Sequence, residues 1–185
     1  MKRGCAALAL ILAACAPPRQ QAPRVEAPAR TYAGCTAQSS RDWSAVGSQY
    51  YIIEAEAEGE TCAAAIATMR IESRDGAVLF ERAYPLSEVP LAFNPSNDQT
   101  GLRAELEAWT QNTAETPTAD TLPQWRARAE RPPGFRPSVA RAAYEAARGA
   151  QGPLFCYADG AESQACVALA GNRASLLGSL TPEHE

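Results

Sequence analysis

The sequence predicts an α+β domain: an antiparallel sheet built from a three-stranded meander and a C-terminal hairpin, with two helices inserted between them and disulfides stabilising the whole. Three observations lead there. Tyr51, Ile53 and Ala55 alternate with Glu54, Glu56 and Glu58, the period of a half-buried strand. Leu102, Leu106 and Trp109 fall at i, i+4 and i+7, one helical stripe. Strand-like runs then return late in the chain, at Leu154-Phe155-Cys156-Tyr157 and Ala165-Cys166-Val167-Ala168-Leu169, with a turn signal at Asp159-Gly160 between them.

The elements follow in order. The first strand is broken by Gly59. From Ala63 to Ser73, Met69 and Ile71 share a face with alanines, while Thr68, Arg70 and Glu72 lie opposite; the alanine run equally suits a helix. Asp75-Gly76 is the strongest turn signal in the chain, set between Ile71-Glu72-Ser73 and Val78-Leu79-Phe80, so residues 50–84 form the meander. Pro85 to Pro95 is loop. Asn97 or Thr100 caps the first helix, which ends near Asn112, and Thr113 to Thr121 is expected to be a mobile polar loop. Ser138 is expected to cap a second helix over Val139–Arg148, with Gly149 as its stop. Pro153 leads into the hairpin, where Phe155, Tyr157, Val167 and Leu169 share a face, and a third short strand follows at 174–180. There is no internal repeat and no sign of a second domain.

At 185 residues the chain is long enough for one domain with a real core. The 46% of apolar residues is largely alanine and aromatics make up only 7%, so the core is thin and covalent support is expected. Formal net charge is −4. Removing Lys2 and Arg3 with a leader leaves 15 basic against 21 acidic residues, a net −6. That balance argues against sequence-independent nucleic-acid binding, which needs a basic footprint. All basic residues after Lys2 are arginines, which reads as codon bias.

Met1-Lys2-Arg3 is a short positive segment and Gly4 to Leu12 an apolar run. Its nine residues make about 14 Å of helix against a bilayer core of about 30 Å, too short to span and the right length for a secretory leader. Leu12-Ala13-Ala14-Cys15 follows, and with the charge and apolar run it resembles the lipobox of bacterial lipoproteins. The resemblance covers only these first fifteen residues. It implies a signal peptide at 1–14, removed on export, and a Cys15 that carries diacylglycerol by thioether and is acylated on its new amino group. Two or three chains anchor a protein stably where one does not. Cys5 has too few residues before it to serve. Ala16 after the cysteine implies outer-membrane sorting, with the domain facing the periplasm. Residues 15–31 then form a lipidated tether in which Pro17, Pro18, Pro23 and Pro28 disfavour helix and sheet. At about 3.1 Å per residue it reaches about 45 Å. Residues 32–185 are the single α+β domain.

Four cysteines remain: Cys35, Cys62, Cys156 and Cys166. An even number in an exported chain suggests disulfides, with three pairings possible. Cys35–Cys62 and Cys156–Cys166 are favoured, the second because residues 156 and 166 sit opposite each other in the hairpin. Zinc is not expected, since no CxxC occurs and the sole histidine is His184.

Catalytic residues are not identified. There is no GxSxG, GxGxxG or P-loop, and no cofactor or metal is implied. The alternating Glu54, Glu56, Glu58 and Glu60 read as a solvated strand face rather than a cation site, because Ca²⁺ usually draws ligands from a curved loop. The most unusual stretch is residues 122–141, where Arg126, Arg128, Arg131, Arg136 and Arg141 face Glu130 alone, with Trp125 and Phe135 interleaved. It has two readings. One is a binding loop for an anionic envelope polymer or protein, since arginine grips oxyanions bidentately. The other is that Trp125 and Phe135 staple the loop to the core while the arginines are solvated or pair with the glutamate row. The expected function is a non-catalytic binding or accessory module of the envelope. An enzyme using carboxylates on envelope polymers, or a purely structural lipoprotein, are the alternatives. Oligomeric state is not indicated.

Overall fold

A computed structural model describes residues 34–114 and 117–182. The leader, the Cys15 box, the proline-rich tether and His184 lie outside the described residues. The fold is α+β, with antiparallel strands, two helices and two disulfides.

The strands form two four-stranded sheets where one had been expected. The first contains β1 (Cys35–Ser44), β2 (Tyr50–Gly59), β3 (Ile66–Ser73) and β4 (Val78–Pro85) in sequential order. The second contains β5 (Phe135–Pro137), β6 (Leu154–Ala158), β7 (Gln164–Ala170) and β8 (Arg173–Leu180) in the order β5-β8-β7-β6. The expected meander is β2 to β4, and the residues 63–73 resolve as a strand preceded by one 3-10 turn at Cys62–Ala64. The Asp75-Gly76 turn joins β3 to β4, with Gly76 at φ 82°, where glycine alone adds no steric cost. β1 carries no apolar alternation. It is held instead by a ten-residue register with β2 and by α1 packed against it.

Helix α1 (Gln99–Trp109) buries the expected stripe of Leu102, Leu106 and Trp109. Its cap is neither Asn97 nor Thr100 but Asp98, whose carboxylate accepts from Gly101 N at 2.8 Å. Asn97 is engaged elsewhere, donating to Glu105. Helix α2 (Arg141–Ala150) starts later than expected, from Ala140 with no side-chain cap; Ser138 donates to Leu176 O instead. It stops at Gln151 in the left-handed region rather than at Gly149.

Burial divides the molecule into layers. One face of β2 and β3, with Tyr84, α1, and Phe155, Tyr157, Ala165, Val167 and Leu169 of the second sheet, makes the larger core. The opposite face of the second sheet offers Leu154, Cys156, Cys166 and Leu177 to Ala119, Leu122, Trp125, Phe135 and Tyr144. β6 and β7 are therefore buried on both sides, which is why β6 reads as a continuous apolar run.

Asn112, with Thr113 and Pro117 of the stretch expected to be a polar loop, lies along the free edge of β6. Leu154 N donates to Pro117 O, Thr113 N and Oγ1 donate to Cys156 O, and Asn112 bonds both Leu154 O and Cys156 N through its side chain. A buried edge must satisfy its backbone groups, and a polar segment does so here in place of a strand. Both favoured disulfides are present: Cys35–Cys62 ties β1 to the turn after β2, and Cys156–Cys166 joins directly opposed residues of β6 and β7.

Candidate functional site

The aromatic residues of segment 122–141 are part of the second core. Trp125 is 9% exposed, meets Tyr144 edge-on at 5.7 Å between ring centroids, and donates from Nε1 to Ala129 O at 2.9 Å. Phe135 is 1% exposed and packs on the same Tyr144 ring at 5.2 Å. Tyr144 Oη in turn donates to Pro123 O at 2.7 Å. Burial pushes the Tyr144 phenol up to about 12. One α2 tyrosine thus clamps both ends of the segment.

The arginines sort into two groups. Arg141 sits over the Trp125 ring at 5.7 Å, donates to Trp125 O and pairs with Glu145 one turn on. Arg148 donates to Leu122 O and Asp120 O, closing the start of the segment. These two are fasteners. Arg126, Arg128, Arg131 and Arg136 are exposed and form no ion pair among the described residues. The structure thus separates the residues the sequence had grouped: Trp125 and Phe135 are anchors, and the exposed guanidiniums are what remains for a ligand.

The expected pairing of this cluster with the glutamate row does not occur. Arg70, opposite Glu54 on β2 and Glu81 on β4, takes that role. Its guanidinium lies 3.1 Å from Glu56, 2.6 Å from Glu81 and 3.8 Å from Glu54. Hydrogen bonds donated by its guanidinium to Glu81 and Glu56 raise the Arg70 pKa still further. No group of three or more His, Cys, Asp or Glu among the described residues is arranged to hold a metal ion.

Two of the exposed guanidiniums, Arg131 and Arg136, line one open groove of about 720 Å³. Pro132, Pro133, Gly134, Ser163 and Thr181 also border it, with Glu162 the one carboxylate among its described lining residues. Arg126 and Arg128 lie outside it. The groove was not legible in the sequence, because its walls come from the Pro132–Arg136 turn, the β6–β7 turn and the residues after β8. Only antiparallel pairing of β5 with β8 brings these together.

A second unusual feature lies inside the larger core. The Tyr84 and Tyr157 hydroxyls are 2.8 Å apart, surrounded by Trp109, Phe80 and Phe155. Burial raises both phenol pKa values, so the pair stays neutral in the ordinary range. One hydroxyl donates to the other, so neither buried oxygen lacks a hydrogen-bond partner, which is a structural use of two polar groups. No protein-family model, curated protein or solved structure matches this chain, so its reading rests on its own residues.

Proposed function

We propose that this protein is a bacterial envelope lipoprotein, anchored by lipid on Cys15 and most simply placed at the outer membrane facing the periplasm. Its domain serves there as a non-catalytic binding or accessory module. The observation that carries the reading is the leader itself: a basic start, an apolar run too short to span, and Leu12-Ala13-Ala14-Cys15. The cysteine pattern supports it. All four cysteines after Cys15 are consumed in two disulfides, a usage suited to an oxidising compartment, which leaves Cys15 without a partner in the domain.

The binding role is supported by the contrast among the arginines. Those needed for the fold are engaged, while four more stand exposed on a segment whose aromatic residues fix its backbone. Exposed arginines on a rigid platform suit an anionic envelope polymer or protein. Intact-mass measurement of the protein from its native host tests the anchor. The expected mature chain begins at Cys15 and carries diacylglycerol and acyl mass. A free thiol at Cys15, or a chain cut after it, would refute the reading. Partner capture by the full chain, repeated with Arg126, Arg128 and Arg131 changed to Ala, tests the binding role; unchanged capture would remove the segment from it.

A further inference from the structure

The groove beside Arg131 and Arg136 supports a narrower statement, which rests on the reading of the domain as a binding module. We propose that it is a site for a ligand carrying at least two oxyanion groups, carboxylate or phosphate, that engages both guanidiniums at once.

The first support is charge. Arg131 and Arg136 form no ion pair among the described residues, although the protein as a whole is acidic. The groove's described walls hold two guanidiniums and a single carboxylate, Glu162, which has an interaction of its own. Two guanidiniums against one carboxylate favour an anion at this place.

The second support is rigidity. Pro132 and Pro133 fix two φ angles in the turn between the arginines. Phe135 is locked in the second core, so strand alternation turns Arg136 to the opposite face. Arg136 pairs with Ser179 in the β5–β8 register, and Thr181 N donates to Gly134 O at 2.9 Å just beyond it. Gly178 permits this approach: at φ 145°, a Cβ there would lie 2.2 Å from Arg136 O. The Arg136 backbone is thus held before any ligand arrives, and Arg131 is restricted by the proline that follows it, which lowers the entropy lost on binding.

The third support is size. About 720 Å³ is far more than one phosphate or carboxylate needs and lies within the range of small-ligand sites. A ligand that fills it reaches both arginines. Guanidinium is the side chain suited to two-point contact with planar or tetrahedral oxyanions.

The test is calorimetric titration of the full chain, at low ionic strength, with citrate and separately with pyrophosphate. Saturable binding of either probe is expected, and the arm that binds identifies carboxylate or phosphate as the preferred chemistry. Arg131→Ala/Arg136→Ala should weaken it at least about tenfold, the loss of charge-assisted bonds at two points. Arg131→Lys/Arg136→Lys keeps the charge but loses the fork and should fall between. Arg74→Ala/Arg103→Ala, two exposed arginines outside the groove and outside segment 122–141, should bind as the parent does. Failure of both probes to bind saturably, or equal loss in the Arg74/Arg103 variant, would overturn the site. An unlipidated Cys15 would leave these titrations unchanged, so the anchor and the groove fail separately.

Discussion

Asn112 is expected to contribute strongly to the stability of this fold. Its side chain replaces a neighbouring strand at the edge of β6. Nδ2 donates to Leu154 O at 2.8 Å, and Oδ1 accepts from Cys156 N at 2.9 Å and from Ala114 N at 3.0 Å. Leu154 and Cys156 are 1% and 0% exposed, so water does not readily replace the amide. Asn112→Ala leaves a buried N–H and a buried C=O without their partner, at about 1–3 kcal/mol each. Because Asn112 itself is half-buried, some rehydration is expected, and about 3 kcal/mol is a fair centre. For a domain of this size that corresponds to a fall in Tm of about 6–12 °C. Asn112→Asp keeps the acceptor and loses the donor, and should fall between. Thermal melts by circular dichroism, with urea titration alongside and the disulfides intact, measure it. Asn172→Ala, in the exposed β7–β8 turn, is the control. If Asn112→Ala melted within about 1 °C of that control, β6 would not depend on this edge and the reasoning would be wrong.

Other outcomes follow from the same structure. Replacing Cys35 and Cys62 by Ser should cost about 3.6 kcal/mol, and replacing Cys156 and Cys166 about 2.7 kcal/mol, since the bridges close spans of 27 and 10 residues. Urea titration of the two variants checks both the size and the order. Trp125→Ala should cost about 3–5 kcal/mol while Arg126→Ala stays within about 0.5 kcal/mol, and equal effects would contradict the stapled reading of the segment. The tyrosines give the fold an alkaline limit. A raised folded-state pKa favours the neutral phenol, so the stability from Tyr84, Tyr144 and Tyr157 is whole below pH 10. It is lost as pH rises through the folded values, near 12 for Tyr144. Phenolate absorbance should therefore show buried tyrosines ionising only with loss of near-ultraviolet dichroism. Reversible ionisation of every phenol near pH 10 in a folded protein would refute this. Gly178→Ala should destabilise the β5–β8 pairing and weaken any anion binding at the groove along with it, read by Tm and titration together.

The glutamate row shows how far local pattern reaches. Alternation of Tyr51, Ile53 and Ala55 with Glu54, Glu56 and Glu58 predicted both the strand and its solvent face, because side-chain direction in a strand depends only on parity. It could not say which cation would cross the strand to meet it. Arg70 does, through the β2–β3 register that sets it opposite Glu54. β1 was invisible for a related reason. Its core-side positions, Cys35, Ala37, Ser39 and Trp43, mix polar with apolar and are interrupted at the exposed Arg41, and it is a strand only because β2, α1 and a disulfide hold it. The helix caps also escaped, since several Asn, Asp, Ser and Thr compete in each stretch and only tertiary bonds show which are engaged elsewhere. Segment 122–141 was visible as a composition but not as a site: the pattern could not divide the fastening Arg141 from the other arginines, because that division depends on where Trp125 and Glu145 lie.

Short-range chemistry was enough for the α+β class, the meander, the hairpin and the Cys156–Cys166 pairing, each of which follows from neighbours in the chain or from the parity of a strand. Tertiary structure alone decided that the strands form two sheets, that a polar segment closes the edge of β6, and that Arg131 and Arg136 border one groove. Those facts depend on the packing of residues far apart in sequence, and packing of that kind leaves no period for a local pattern to carry.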